Sequence, residues 1–227
     1  MRGTFTAAIC PTPGCGRPVR PAYWTVGKRC ARCRQRVRRQ GDARQEPVRR
    51  HEPRKTVTRL KRVVKRLGKV EVVERAFRQI AGNLLTVTVD DLPQPAPNGK
   101  AKPWTNLWMR RALEEVERVS GDVEAVASGW LVVAMFFMQT EERPRRFVSD
   151  EAFRFQLVRM WRSQTSLSVG STYDAKRDRM TGWYKTTPVR VVQYLADVLT
   201  TAYVPVVGYM TTLIKKDEEQ RRLLLPE

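Results

Sequence analysis

Residues 10–42 read CPTPGCGRPVRPAYWTVGKRCARCRQRVRRQGD, and they hold every cysteine of the 227-residue chain. The cysteines fall as Cys10-x4-Cys15 and Cys30-x2-Cys33, with residues 16–29 between the pairs. Two close pairs at this separation match a tetrahedral four-thiolate metal site, because a pair on a tight turn aims both sulfurs at one point. The turn chemistry agrees: Pro11, Pro13, Gly14 and Gly16 surround the first pair, and Gly27 precedes the second. Two disulfides in a secreted domain would use the same residues. The opening MRGTFTAAICPTPG is too short and too polar for a secretory leader, so a reducing compartment and a metal are expected. One structural Zn2+ on Cys10, Cys15, Cys30 and Cys33 follows, with no position open to water and so no catalytic role for the ion.

The residues around the cysteines point to a partner. The formal net charge is +20, very unevenly placed. Residues 1–66 carry 20 Lys and Arg against Asp42, Glu46 and Glu52, which is +17, while the remainder carries 23 basic against 20 acidic side chains, which is +3. A polycation beside a metal module usually meets a polyanion. Arg dominates it, and the planar guanidinium suits phosphates and guanine edges. The candidate contacts are Arg17, Arg20, Lys28, Arg29, Arg32, Arg34, Arg36, Arg38, Arg39, Arg49, Arg50, Arg62, Lys65 and Arg66, with DNA ahead of RNA as the nucleic acid. A solvated basic face without a partner would have the same composition. An anionic membrane surface is not expected, since the segment has no matching apolar face. Tyr23 and Trp24 either stack on a base or sugar or pack over the metal core.

Residues 10–42 resemble a small zinc module common in bacteriophage proteins: a C-x4-C pair, an R-P-V turn, then C-x2-H or C-x2-C, a short basic helix and Gly-Asp. Its family includes the N-terminal parts of phage HNH-type endonucleases and stand-alone phage DNA-binding proteins. Cys10, Cys15 and Cys30 match its ligand positions, and Cys33 stands where that family more often has His. Arg17-Pro18-Val19, Gln35-Arg36, Arg38-Arg39 and Gly41-Asp42 match as well. The resemblance implies DNA binding. It does not extend to HNH nuclease chemistry, which needs at least two histidines; the chain has only His51.

The reading outward from this stretch is mainly α. Residues 1–42 form a zinc-ribbon-like module, 43–56 a basic linker with Pro47 and Pro53, and 57–227 an α-helical domain. Apolar spacing predicts one helix over 57–81, capped by Thr56 or Thr58 and ended by Gly82-Asn83. LLTVTV, residues 84–89, reads as extended, and 92–103 as an exposed proline-rich connection. A helix over 104–119 would turn Leu107, Trp108, Ala112 and Leu113 inward and Glu114, Glu115 and Glu117 outward. Asp122 starts an apolar helix to about residue 139, whose longest apolar run, 130–138, is too short for a membrane span. Further helices are expected from Ser149, from Thr187-Pro188 to about 202, and from Pro205 to about 216. Residues 164–185 read as two short strands around a turn at 174–178, acting either as a basic wing on nucleic acid or as a plain surface loop.

No phosphate-binding loop, dinucleotide fingerprint, nucleophile elbow or HExxH occurs, and Asp90-Asp91 and Glu141-Glu142 are neighbours that do not face each other. A tyrosine-recombinase reading of Tyr173 or Tyr194 would need more histidine than His51. The expected protein is therefore not an enzyme. It is a cytoplasmic, phage-type nucleic-acid-binding factor, in the host cytoplasm if viral, whose helical domain contacts protein. The alternative is a structural or interaction protein of a viral particle or host-takeover complex.

Overall fold

The computed structural model describes residues 8–19, 29–91, 103–141, 146–164, 168–174, 179–184 and 187–223. Within them the order is α1 (Ala31–Gln40), α2 (Glu52–Arg66), α3 (Val70–Asp90), α4 (Pro103–Val119), α5 (Asp122–Glu141), α6 (Asp150–Trp161), a 3-10 turn (Arg162–Gln164), β1 (Ser168–Asp174), β2 (Arg179–Tyr184) and α7 (Val189–Leu223). The chain is mainly helical. β1 and β2 pair antiparallel, from Asp174 opposite Arg179 to Ser168 opposite Tyr184, with an irregularity between Ser168 and Gly170. The turn between them lies outside the described residues.

α5 is the axis of the core, packed against α2, α3, α4, α6 and α7. Its segment Trp130–Met135 is almost wholly buried. A helix apolar on every side belongs in a protein interior. By length and composition alone α5 and α7 are each able to cross a membrane, but most of α5 is enclosed by its neighbours. Gly129 makes one of these contacts tight: a Cβ there would lie 2.3 Å from the Phe77 ring. Phe77 is itself fixed, edge-on to Trp130 at 5.3 Å and 6.1 Å from Tyr203. Gly129→Val is expected to overpack this point and lower stability by about 1–3 kcal/mol, read as a lower midpoint in urea.

Three helical expectations are corrected. The single helix over 57–81 is two helices, because Gly68 takes φ 64 and its N–H bonds back to the Lys65 carbonyl. Glycine in the left-handed region ends a helix at little steric cost. Gly82, expected to end it, sits in open space inside α3. The stretch 84–89 is helical, because Phe77, Ile80, Ala81, Leu84 and Thr88 fall on one buried face of α3. That burial overrides the β-branched preference for extended backbone. The two helices expected on either side of Pro205 are one helix, α7. Pro205 lies on the exposed side of the helix, while Tyr203, Val206, Met210 and Leu213 hold the opposite face in the core.

α4 keeps part of its expected orientation, with Ala112 buried, Trp108 packed against the core and Glu117 exposed, but departs from it at two residues. Leu107 is 65% exposed, whereas Glu115 is wholly buried. The Arg162 guanidinium meets both Glu115 carboxylate oxygens, at 2.7 and 2.8 Å, and Arg111 Nη2 lies 2.9 Å from one of them. A carboxylate enters a core only with such partners.

Residues 43–51, read as linker, are packed, and Glu52 already belongs to α2. Ala43, Gln45 and Val48 are buried. The Val48 N–H donates to Gln156 Oε1 at 2.9 Å, and the Gln156 amide donates to Gln40. Gln45 accepts from the Val148 N–H at 3.1 Å. Arg146 bonds the Glu52 carboxylate at 2.7 Å and the Pro47 carbonyl at 3.1 Å. At the end of α1, Gly41 (φ 79) lies so close to α6 that a Cβ would meet the Glu151 carbonyl oxygen at 2.7 Å. Polar bridges thus fasten the cysteine-bearing segment to α6.

Candidate metal centre and basic face

Residues 8–19 form a narrow loop. The Val19 N–H bonds the Ala8 carbonyl at 2.7 Å, the Cys10 N–H the Arg17 carbonyl at 2.8 Å, and the Cys15 N–H the Thr12 carbonyl at 3.0 Å. Gly14 and Gly16, at φ 72 and 57, allow the reversal in so few residues. The second pair straddles a helix start: Cys30 is the extended N-cap of α1, and Cys33 lies on its first turn. A helix N-terminus favours thiolates.

The loop and the helix bring the four sulfurs within 4.8 Å of one another. Cys15 Sγ is 3.6 Å from Cys30 Sγ and 3.5 Å from Cys33 Sγ. All four cysteines are free, and these separations far exceed a disulfide bond of about 2.05 Å. The cluster can hold a metal ion, with one donor atom from each residue. Cys10, Cys30 and Cys33 are buried together with Val19 and Ala43 in a small core separate from the main one. The Cys30 N–H points at Cys10 Sγ at 3.4 Å, and the buried Thr12 hydroxyl lies 3.5 Å from the same sulfur. Such outer bonds orient ligands and stabilise thiolate. Burial raises the Cys10 thiol, but the bonds from Thr12 and Cys30 outweigh it and bring it down to about 6. Burial pushes the Cys33 thiol up to about 12, reinforced by the three neighbouring sulfurs.

The basic residues divide by position. α1 holds five arginines and no carboxylate. Arg32, Arg38 and Arg39 are exposed, and Arg34 and Arg36 half-buried. Arg17 is exposed on the first loop, Arg29 just ahead of α1, and Arg49 and Arg50 ahead of α2. Arg62 and Lys65 are exposed on α2, whereas Arg66 forks onto the buried Asp217 carboxylate of α7 at 2.6 and 2.7 Å. That bonding holds the Asp217 carboxyl below its ordinary range, so its stabilising contribution is present at neutral pH and lost as pH falls. Arg20, Lys28, Tyr23 and Trp24 lie outside the described residues.

One basic residue escapes the sequence reading. Arg159, on α6, donates to Gln40 Oε1 at 3.3 Å. Its pKa is lowered first by desolvation and then by the neighbouring charges of Arg50 and Arg39. Arg159 thus reaches the end of α1 through Gln40. Nothing local marks Arg159, because α6 reads as a core helix; its role comes from the docking of α1.

Beside the sulfurs opens a cleft of about 440 Å³, lined by Cys15, Cys33, Arg17, Arg32, Arg36 and Arg44, among others. Arg44 pairs with Asp42 at 3.5 Å, and Arg36 Nη1 donates to the Ala43 carbonyl at 3.5 Å. Among the described residues no carboxylate pairs with Arg17, Arg32 or Arg36. No protein-family model matches the chain, and no curated protein or solved structure matches it.

Proposed function

We propose that the protein binds nucleic acid through an arginine surface shaped by one structural zinc ion. The observation that carries this reading is α1: ten residues with five arginines and no carboxylate, tied to the cysteine cluster at one end and to α6 at the other. Arginines carried on a helix fixed at both ends engage phosphates without the backbone first being ordered, so less entropy is lost per contact. Arg159 adds a guanidinium beside the end of α1, where it bonds Gln40, and Arg50 is exposed ahead of α2. The resemblance of residues 10–42 to phage DNA-binding modules points the same way.

Zinc suits the donors. Four thiolates in a tetrahedron select zinc or iron, and a Zn–S bond of about 2.3 Å implies sulfur edges of about 3.8 Å. The separations of 3.5 and 3.6 Å lie close to that. Elemental analysis of protein prepared under reducing conditions is expected to find one zinc per chain.

The test is salt dependence. Each phosphate engaged releases counterions, so log affinity for duplex DNA should fall with log salt at a slope near −0.9 per phosphate. Replacing the exposed Arg38, Arg39 and Arg50 by Ala should flatten that slope by roughly 0.9 for each phosphate no longer engaged. An unchanged slope and affinity in the triple variant would remove this surface as the interface.

The second reading, an interaction protein of a particle or takeover complex, draws on α7. From 198 to 214 the helix carries no charged residue, and Thr201, Val204, Pro205, Gly208, Tyr209 and Thr212 of that stretch are exposed. An uncharged exposed strip on so basic a chain suits protein contact. Duplex binding that is weak and insensitive to salt, in a protein that co-purifies with a stoichiometric protein partner, favours this alternative.

A further inference from the structure

We infer that the cleft beside the four cysteines seats one backbone phosphate of the bound strand, and that metal binding and phosphate binding are thermodynamically coupled through it. This deepens the nucleic-acid reading and rests on it.

The first argument is charge. Arg17, Arg32, Arg36 and Arg44 line the same concavity, and among the described residues only Arg44 has a carboxylate partner, Asp42. A divalent ion on four thiolates carries a charge of about −2. Set against these arginines and Asp42, it leaves an excess of about one positive charge. One phosphodiester supplies the matching negative charge. Without it, the guanidiniums repel one another in a recess where water screens them less than on an open surface.

The second argument is geometry. Arg32 and Arg36 are one helical turn apart, so both side chains leave α1 on the same side. Arg17 comes from the first cysteine loop and Arg44 from beyond the Gly41 cap, so the cleft is walled by three separate pieces of chain. Two of these pieces are joined chiefly by the sulfurs. Cys15, two residues before Arg17, and Cys33, one residue after Arg32, both line the cleft. A metal joining Cys15 to Cys33 therefore sets how far Arg17 stands from Arg32 and Arg36. Without the ion that clamp is lost, and the cost of ordering the arginines falls on the anion. Coupling of this kind is reciprocal: the factor by which metal tightens the anion equals the factor by which the anion tightens metal.

The experiment uses the full-length, metal-loaded protein. Arginine side-chain N–H resonances are followed by NMR during titration with inorganic phosphate and, separately, with a single-stranded and a duplex oligonucleotide. Saturable shifts at Arg17, Arg32 and Arg36 are expected in each titration, at far lower ligand concentration for the oligonucleotides. A chelator competition then measures metal affinity with and without saturating oligonucleotide. Nucleic acid is expected to tighten metal retention by about fivefold or more. Arg32→Ala/Arg36→Ala should retain one metal per chain, weaken oligonucleotide binding by about tenfold or more, and abolish the gain in metal affinity. Arg38→Ala/Arg39→Ala should weaken binding but keep that gain. If the oligonucleotide binds while the cleft arginines do not respond and metal affinity stays constant, the cleft is not the phosphate seat, although the binding function stands. If no oligonucleotide binds at all, the nucleic-acid reading fails. The inorganic phosphate titration then decides the cleft alone: saturable shifts leave it a site for free phosphate, and their absence removes it.

Discussion

Cys30→Ser is expected to yield protein without metal, in which residues 8–19 and 29–44 have lost their fold while the helical core persists. Cys30 is buried, contributes one of the four sulfurs, and donates its own N–H to Cys10 Sγ. A serine hydroxyl is a poor zinc ligand. Among the described residues the small core around it consists of Cys10, Val19, Cys30, Cys33 and Ala43, with Cys15 and Val37 packed against it. So few apolar groups cannot hold a loop together, and structural zinc supplies on the order of 10 kcal/mol to such modules. The main core contains none of these residues. The measurement is hydrogen exchange with elemental analysis: protection lost within 8–19 and 29–44, retained in α3, α5 and the first half of α7, and no zinc. A metal-free variant with unchanged protection in α1 would show that docking on α6, not the ion, holds the module.

Acid should do reversibly what the mutation does permanently. Protons compete with metal for thiolates. At neutral pH the metal-free Cys33 thiol, raised to about 12, is protonated, so binding must displace that proton. Cys10, lowered to about 6, is already largely thiolate there and regains its proton only in mild acid. Metal affinity therefore falls as pH falls. A chromogenic chelator should capture the ion progressively between pH ~7 and pH ~5, with loss of α1 protection in parallel.

The parts of this molecule that its sequence discloses are those fixed by neighbours along the chain. The cysteine cluster is legible because ligand spacing and turn residues are local, and the starts of α5 and α6 because Asp122 and Ser149 stand at them. Gly82-Asn83 reads as a helix stop, and only the burial of Leu84 and Thr88 decides against it. What stays hidden depends on partners far away. Gln45 and Gln156 turn an apparent linker into packed chain by bonding across about a hundred residues. Arg66 reads as a phosphate contact until Asp217, 151 residues later, is placed against it. Charged residues mislead most, since their solvent-facing and core-facing forms look identical in sequence.

Glu115 shows what such a hidden contact is worth. Its carboxylate is wholly buried on α4 and receives Arg162 at two atoms, Arg111 at one, and the Thr187 hydroxyl at 3.3 Å. Arg162 opens the turn that leads into β1, and Thr187 follows β2, so one carboxylate ties both roots of the hairpin to α4. Glu115→Ala would take that carboxylate from Arg162 and Arg111, whose side chains are 15% and 6% exposed, while Arg111 keeps its pair with Glu114. Removing one member of a buried ionic group typically costs about 3–5 kcal/mol, because the surviving charges cannot be solvated. The variant should unfold at markedly lower urea, and limited proteolysis in the native state should cut near 165–186 sooner than in the parent. The arginines make the argument separable from simple loss of packing. Arg111→Met/Glu115→Leu/Arg162→Met removes all three charges together, fills the space with apolar atoms, and should recover a large part of the missing stability. Recovery of stability without recovery of resistance near the hairpin would mean that Glu115 matters less for core stability than for holding that hairpin's ends in place. If the triple variant is as unstable as Glu115→Ala, the cost lies in shape and not in stranded charge.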